Sequence, residues 1–301
     1  MSLSGIGINL FREPSLDRPV LIAAWPGIGN IGLVAVNSLR EAVQAELFAE
    51  IKPWDYFYPR GITIEEGVLT GMDFPTSNFY FRRTGKGDVI FFIGEEQPSG
   101  SRRAHSMSSM VLDLAEHYEV SRIYTAAAAV APIHHSMTPR IWGVPNSSDI
   151  VSEIRRLPNT ILMSDIMERQ GRGNITGMNG LLMGLARERK LEGACLLGEV
   201  PVYVSQFPTI YPKSSKSIVE LLSAILGIEV DLSNLDNLVV EVEDNIERLY
   251  QMIPEQMRER IEKLKYTTYL KEDTEGTITE EDKKRIMQEI DQFFSTGDKG
   301  H

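Results

Sequence analysis

Three segments of the chain carry residue types and spacings suited to holding a ligand. Gly27-x-Gly29-x-x-Gly32 follows a short apolar run, Val20-Leu21-Ile22-Ala23-Ala24, and precedes a helical pattern through Leu33, Val36, Leu39, Ala42 and Val43. In a strand, turn, helix unit, such glycines let backbone N–H groups approach a phosphate at a helix N-terminus, and Asn30 lies in the same turn. A dinucleotide site also wants an acidic residue near the end of the next strand. Glu46 and Glu50 hold that position, although the residues between them do not read clearly as a strand. The same glycines equally serve a tight turn and close helix packing, and Pro26 favours this reading because it removes one N–H.

The second segment, Gly94-Glu95-Glu96-Gln97-Pro98, ends the apolar run Asp88 to Gly94, where α/β proteins place their ligand crevices. Glu95 or Glu96 there suits a general base or a metal ligand. Either also suits a cap on the helix beginning at Ser101, or an ion pair with Arg102 or Arg103. The third, Gly173-Asn174-Ile175-Thr176-Gly177-Met178-Asn179-Gly180, is polar, rich in glycine and opens a helix. Its N–H groups can bind an anion, or Thr176 can satisfy them as an N-cap. Together Gly27, Gly29, Asn30, Gly32, Glu95, Glu96, Asn174, Thr176, Gly177 and Asn179 outline a candidate crevice for a nucleotide- or nucleoside-like ligand.

The remaining reactive side chains point to less. His134-His135 follows a strand pattern, and adjacent side chains in extended chain face opposite sides, so the pair chelates poorly and no metal or cofactor is expected. Cys195 sits among Ala194, Leu196 and Leu197 and reads as a small core residue. No Gly-x-Ser-x-Gly elbow occurs, and Gly85-Lys86-Gly87 precedes a strand instead of opening a helix, unlike a phosphate loop.

These segments need elements to position them. Apolar runs at Val20 to Ala24, Asp88 to Gly94, Arg122 to Val130, Thr160 to Met163 and Ala194 to Gly198 read as buried strands. Helical patterns span Ser101 to Tyr118, Gly177 to Lys190 and Lys216 to Leu226. This alternation predicts a mainly parallel sheet covered on both faces. Between residues 61 and 83, three strand-like stretches without a helix predict antiparallel additions. After Asp231, Leu235, Leu238, Val242, Ile246, Leu249 and Ile253 form a stripe that continues through Met257, Ile261 and Leu264 beyond Pro254, as one kinked helix or two. Thr279 opens a last helix bearing Ile286, Ile290, Phe293 and Phe294. The reading is an α/β core over residues 1–232 and a helical appendage over 233–301. The stripe must pack on the body or on another subunit, and it is expected to contribute to a homo-oligomer interface.

Composition limits the function classes. The 301 residues are 42% hydrophobic and 24% charged, with 31 basic and 42 acidic residues, a net charge of -11. Residues 233–301 hold 17 acidic and 10 basic residues, so the appendage carries most of that charge. Such a field disfavours nucleic acid and anionic membranes as partners. The single cysteine excludes an intrachain disulfide and fits a reducing cytoplasm; neither a membrane span nor a signal peptide is expected.

Four blocks, Pro26-Gly27-Ile28-Gly29-Asn30-Ile31-Gly32, Gly94 to Pro98, Gly177-Met178-Asn179-Gly180-Leu181-Leu182-Met183-Gly184 and Leu197-Gly198-Glu199-Val200-Pro201, together resemble the proteasome assembly chaperone 2 family over about residues 18–232. The resemblance implies a three-layer α/β/α fold of the phosphorylase and peptidyl hydrolase type. It also implies a non-enzymatic, oligomeric protein-binding module whose partners include proteasome-like subunits. The chain departs from the family at its end, Asp298-Lys299-Gly300-His301, where chaperones that dock by their tail carry a hydrophobic residue and a tyrosine. It departs again at Ser214-Ser215-Lys216-Ser217, where relatives often carry an acidic residue and alanines.

Overall fold

The computed structural model describes residues 7–166 and 172–266. In chain order the elements are β1 (Ile8–Leu10), β2 (Val20–Ala24), α1 (Ile31–Ala42), β3 (Glu46–Ile51), β4 (Gly61–Glu65), β5 (Val68–Asp73), β6 (Ser77–Arg82), β7 (Val89–Gly94) and α2 (Ser101–His117). They continue with β8 (Arg122–Ala131), β9 (Ile141–Pro145), α3 (Val151–Arg155), β10 (Thr160–Leu162), α4 (Gly177–Glu188), β11 (Gly193–Pro201), α5 (Pro212–Leu226), α6 (Ser233–Met252) and α7 (Glu255–Glu262).

The sheet is mixed, with four parallel and four antiparallel pairings in the order β1-β3-β6-β7-β2-β8-β11-β9-β10, and the apolar run at Thr160 forms its edge strand β10. The other four apolar runs become its parallel centre, β7-β2-β8-β11. Buried on both sides, these strands need no polar face, which is why they read as unbroken apolar runs. Alternate residues feed two cores. Ile22, Ala24, Phe91 and Leu196 meet Leu39 of α1, Leu222 of α5 and Ile246 of α6. Leu21, Ala23, Phe92 and Cys195 meet Leu114 of α2 and Leu182 of α4 on the other face. The architecture is therefore a three-layer α/β/α fold.

Several elements differ from the sequence reading. The residues between Glu46 and Glu50 do form a strand, β3, but it pairs with β1 and β6, and β6 and β7 separate it from β2. Glu46 is held by Arg12 and Glu50 by Asn9, so neither serves the glycine turn. The antiparallel stretch divides: β6 joins the sheet between β3 and β7, whereas β4 and β5 form a separate hairpin. Helix α5 begins four residues earlier than its apolar pattern, because Pro212 suits the first turn.

Close approach between helices and sheet explains two of the sequence blocks. A Cβ on Gly32 would lie 1.9 Å from the Ala126 carbonyl oxygen of β8, and one on Gly198 would lie 2.3 Å from Ser214 Oγ. The serines that depart from the family pattern sit in this contact. Ser214 and Ser215 are fully buried, Ser215 Oγ donates to the Ile31 carbonyl at 2.9 Å, and Ser217 Oγ donates to the Pro139 carbonyl at 3.0 Å.

The stripe after Asp231 forms two helices, α6 and α7, separated at Pro254. Leu235, Val242, Ile246, Tyr250, Ile253, Ile261 and Leu264 are buried in the same core cluster as α1 and α5. Lys216 of α5 adds an ion pair with Asp236 at 2.7 Å. The apolar face that required cover finds it within the chain. The helix expected from Thr279 lies outside the described residues.

Gly32→Ala should destabilise the protein by about 2–3 kcal/mol or prevent folding, since overpacking against a backbone carbonyl has no flexible atom to move. Gly27→Ala should change stability by less than about 0.5 kcal/mol, because Gly27 is extended and no atom lies within 4 Å of its added Cβ. Urea denaturation of both variants checks this, and comparable losses would contradict it.

Candidate functional site

The C-terminal ends of β7, β2, β8 and β11 form one crest, where their following loops meet the segment that leads into α4. The three segments singled out by spacing are brought together there. Gln97 joins them: its Nε2 donates to the Pro26 carbonyl at 2.7 Å, and its Oε1 accepts from the Met178 N–H at 3.1 Å. Helix α4 is therefore capped by Gln97. Thr176 stands at the N-cap position but its side chain makes no capping bond. Gly177 takes φ 72°, and a Cβ there would press on Gln97 Oε1 at 2.8 Å. Asn174, Thr176 and Gly177 are exposed, whereas Asn179 is buried in the first turn.

The glycine turn is set by its backbone. Gly29 has φ 60° and Asn30 φ 46°, both left-handed, and the Gly29 carbonyl accepts from the Tyr211 N–H at 2.9 Å. Asn30 gives no side-chain bond to the start of α1. Glu95 and Glu96 pair neither with Arg102 nor with Arg103. Both bind Arg60, at 3.0 and 2.8 Å, and Glu95 also accepts from the Thr76 N–H at 3.0 Å. Arg60 stands at the base of the β4–β5 hairpin, so these carboxylates tether that hairpin to the crest.

The other half of the crest departs from the strand reading of its sequence. The chain turns at His134, whose carbonyl accepts from the Met137 N–H, so His134 and His135 do not alternate as in a strand. Their rings stack with centroids 4.0 Å apart, and both are buried. The bonding pattern fits two neutral imidazoles. Tyr203 Oη accepts from the His135 N–H and lies 2.5 Å from His135 Nδ1, while His135 Nε2 lies 3.2 Å from a Glu247 oxygen of α6. Nδ1 of His134 accepts from the Ser136 N–H, and its Nε2 faces Glu262 of α7 at 3.5 Å. The tautomers follow from the network: each Nδ1 must accept, leaving the proton on Nε2. Burial pushes His134 down to about 4 and lowers His135, while the charged neighbours Lys213 and Lys265 add to the depression. Tyr250 of α6 closes the group, with its ring 5.0 Å from His135 and its hydroxyl donating to Glu262 at 2.8 Å.

Two further buried groups are structural. Burial raises Cys195 to about 12, and Thr125 Oγ1 donates to its sulfur at 3.0 Å, in keeping with a core residue. Glu199, within the fourth sequence block, accepts from the Trp142 indole and the Arg140 N–H, both at 2.8 Å, and so pins the start of β9. Among the described residues no group of three His, Cys, Asp or Glu could hold a metal ion, and no helix is long and apolar enough to cross a membrane.

A mixed sheet with a parallel centre between two helix layers, and a crest at which Glu95, Glu96, Gln97 and His135 bond other groups of the chain, define an α/β/α scaffold. The chain belongs to the PAC2 family, whose profile matches residues 21–250. It is 24% identical over 247 residues to the uncharacterized protein MJ1210 of Methanocaldococcus jannaschii, covering 82% of this chain and 88% of that protein. Its fold is similar to that of Pyrococcus furiosus PbaB, an archaeal proteasome activator, with TM-score 0.68, 23% identity and coverage of 80% of this chain and 97% of that one. It is similar also to Pyrococcus furiosus PbaA, an archaeal homologue of proteasome-assembly chaperone, with TM-score 0.58, 24% identity and coverage of 86% and 98%.

The histidine pair predicts an acid-sensitive seat for α6 and α7. Tyr203, Lys213 of α5, Glu243, Glu247 and Tyr250 of α6, and Glu262 and Lys265 around α7 surround it. Unfolded histidine binds a proton near 6.5, whereas folded His134 resists until about 4. That stability is fully present above about pH 6.5 and is lost progressively as pH falls toward 4. Glu247 and Glu262, held below 4.5 by hydrogen bonds from Gln251 and Lys265, lose their contribution in the same direction at lower pH. Denaturation at a series of pH values should show the parent losing stability as pH falls from about 6.5 toward 4, and the His134→Gln/His135→Gln variant losing less. Equal slopes would contradict the assignment.

Proposed function

We propose that the chain is a non-enzymatic, self-associating protein-binding module that acts in the cytoplasm on a proteasome-like particle. The observation that carries this reading is the state of the crest. There the groups suited to proton transfer or anion binding take part in internal bonds: Glu95 and Glu96 with Arg60, the Met178 N–H with Gln97, and His135 with Tyr203 and Glu247. Bonds of that kind join segments of the chain, and they favour a positioning role for these groups over a catalytic one. Family membership and likeness to an archaeal proteasome activator and a chaperone homologue support the choice of partner. The acidic charge of -11 makes a basic surface on that partner favourable for encounter.

A nucleotide-like ligand at Gly27, Gly29, Asn30, Gly32, Glu95, Glu96, Asn174, Thr176, Gly177 and Asn179 would have to displace Gln97 from the start of α4. A thermal-shift panel of nucleotides and nucleosides should therefore be flat. Sedimentation of the full chain with archaeal proteasome core particles tests the proposal itself. Saturable co-sedimentation is expected, and a chain that stays in the supernatant at tens of micromolar would overturn it.

A further inference from the structure

The β4–β5 hairpin lies outside the main sheet, and every one of its residues is exposed. Ile62, Thr63 and Ile64 of β4 pair in turn with Met72, Gly71 and Leu69, so Thr70 is the extra residue of a bulge on β5. The β4 side runs without interruption. Ile62 and Ile64 therefore share one face with Met72 and Leu69 opposite them, and Thr63 points to the other face. These four apolar side chains are between 50% and 67% exposed. A bulge adds twist, and a two-stranded ribbon with one apolar face needs that face packed to be stable, for which a single helix suffices.

Acid rims the face at both ends. Glu65 and Glu66 stand at the tip and Asp73 at the base, beside Glu95 and Glu96 on Arg60, and residues 61–76 contain no Lys or Arg. A cover for it must be apolar and bring its own cations. The chain carries such a segment beyond Tyr266, where the described residues end. The spacing of Ile286, Ile290, Phe293 and Phe294 predicts an amphipathic helix with four apolar side chains on one stripe. Just before that stripe, Lys283-Lys284-Arg285 is the one run of three consecutive basic residues in the sequence.

We propose that this segment packs as a helix on the hairpin of its own chain, with Ile286, Ile290, Phe293 and Phe294 over the four apolar side chains of that face. The lengths agree: at a strand's rise Ile62 to Glu66 spans roughly 14 Å, and at a helix's rise Lys284 to Phe293 spans about the same. Charge sets the direction. With the phenylalanines at the base, Lys283, Lys284 and Arg285 come to Glu65 and Glu66 at the tip, and the reverse direction would leave those two acids without a cation. The reach is ample. Glu262 of α7 faces His134, which follows β8, and β7, which leads to Glu95, is two strand spacings from β8, roughly 10 Å. Residues 267–282 can extend to about 50 Å. A segment on the same chain needs no large interface, because tethering turns a bimolecular encounter into an intramolecular one. The contact withholds the ribbon and the stripe from other partners together, and it weakens as salt screens its charges.

Cysteine trapping in the full chain tests this, and it is read without a proteasome particle, so its outcome is separate from that of the proposed function. Cys195 is buried and its thiol is raised to about 12, which keeps it silent. The variant Ile64→Cys/Met287→Cys leaves the four side chains of the tail stripe in place. On mild oxidation it should form a disulfide that keeps the mass of one chain in a denaturing gel. Thr63→Cys/Met287→Cys, with its first thiol on the hairpin's other face, should close at least about tenfold more slowly. Adding Lys283→Glu, Lys284→Glu and Arg285→Glu should slow the Ile64→Cys/Met287→Cys closure severalfold. Equal rates for the two pairs, no disulfide within one chain, or a rate unchanged by the charge reversal would overturn the proposal.

Discussion

The structure depends on how closely its helices can lie on the centre of the sheet. Gly32 brings α1 onto the carbonyl of Ala126, and Gly198 leaves room for Ser214 at the start of α5. No side chain larger than hydrogen fits at either glycine without moving backbone or a buried hydroxyl. Once α1 and α5 are seated, Ser215 ties them together through the Ile31 carbonyl, and the Tyr211 N–H reaches the Gly29 carbonyl. The left-handed turn at Gly29 and Asn30 is then the shape that joins β2 to a helix lying this close. The glycine spacing that resembles a phosphate site is, in this chain, first a packing device.

From that seat the crest follows. Lys213, one residue into α5, donates to the His135 carbonyl and pairs with Glu243 of α6, so the helix that packs on α1 also places the final helices. Tyr250 and Glu247 of α6 and Glu262 of α7 then close over the histidine pair. On the other half, Gln97 spans from the glycine turn to α4, and Arg60 holds the hairpin against Glu95 and Glu96. Each bond connects segments distant in sequence, and together they join the two halves of the crest and the hairpin that projects from it.

The centre of the fold was legible because strands buried on both faces leave unbroken apolar runs, as at Val20 to Ala24 and Val89 to Gly94. Strands at the margins leave weaker traces. β3 begins with exposed Glu46 and Leu47, β1 is three residues long, and β9 contains Gly143 and Pro145, so none shows the run or the alternation that marks a strand. The three crest segments were legible as turns, and the structure brings them together. Their bonding was not. The partner of Glu95 and Glu96 lies some 35 residues upstream, and α4 is capped by a glutamine 81 residues before it. The histidine pair escapes the strand rule for a local reason: the chain bends at His134, and dipeptide alternation holds only in extended backbone.

The crest is closed by the chain's own side chains, and two amides report on that closure directly. Among the described residues the Met178 N–H has only Gln97 as its bonded acceptor, and the His135 N–H only the Tyr203 hydroxyl, so neither is protected by a strand ladder or a helical turn. Residue-resolved amide hydrogen exchange of the full chain at neutral pH should show both slowed by orders of magnitude, with Met178 alone released in Gln97→Ala. Exchange of both amides at unprotected rates in the parent would mean that the crest stands open to solvent, contradicting its closure.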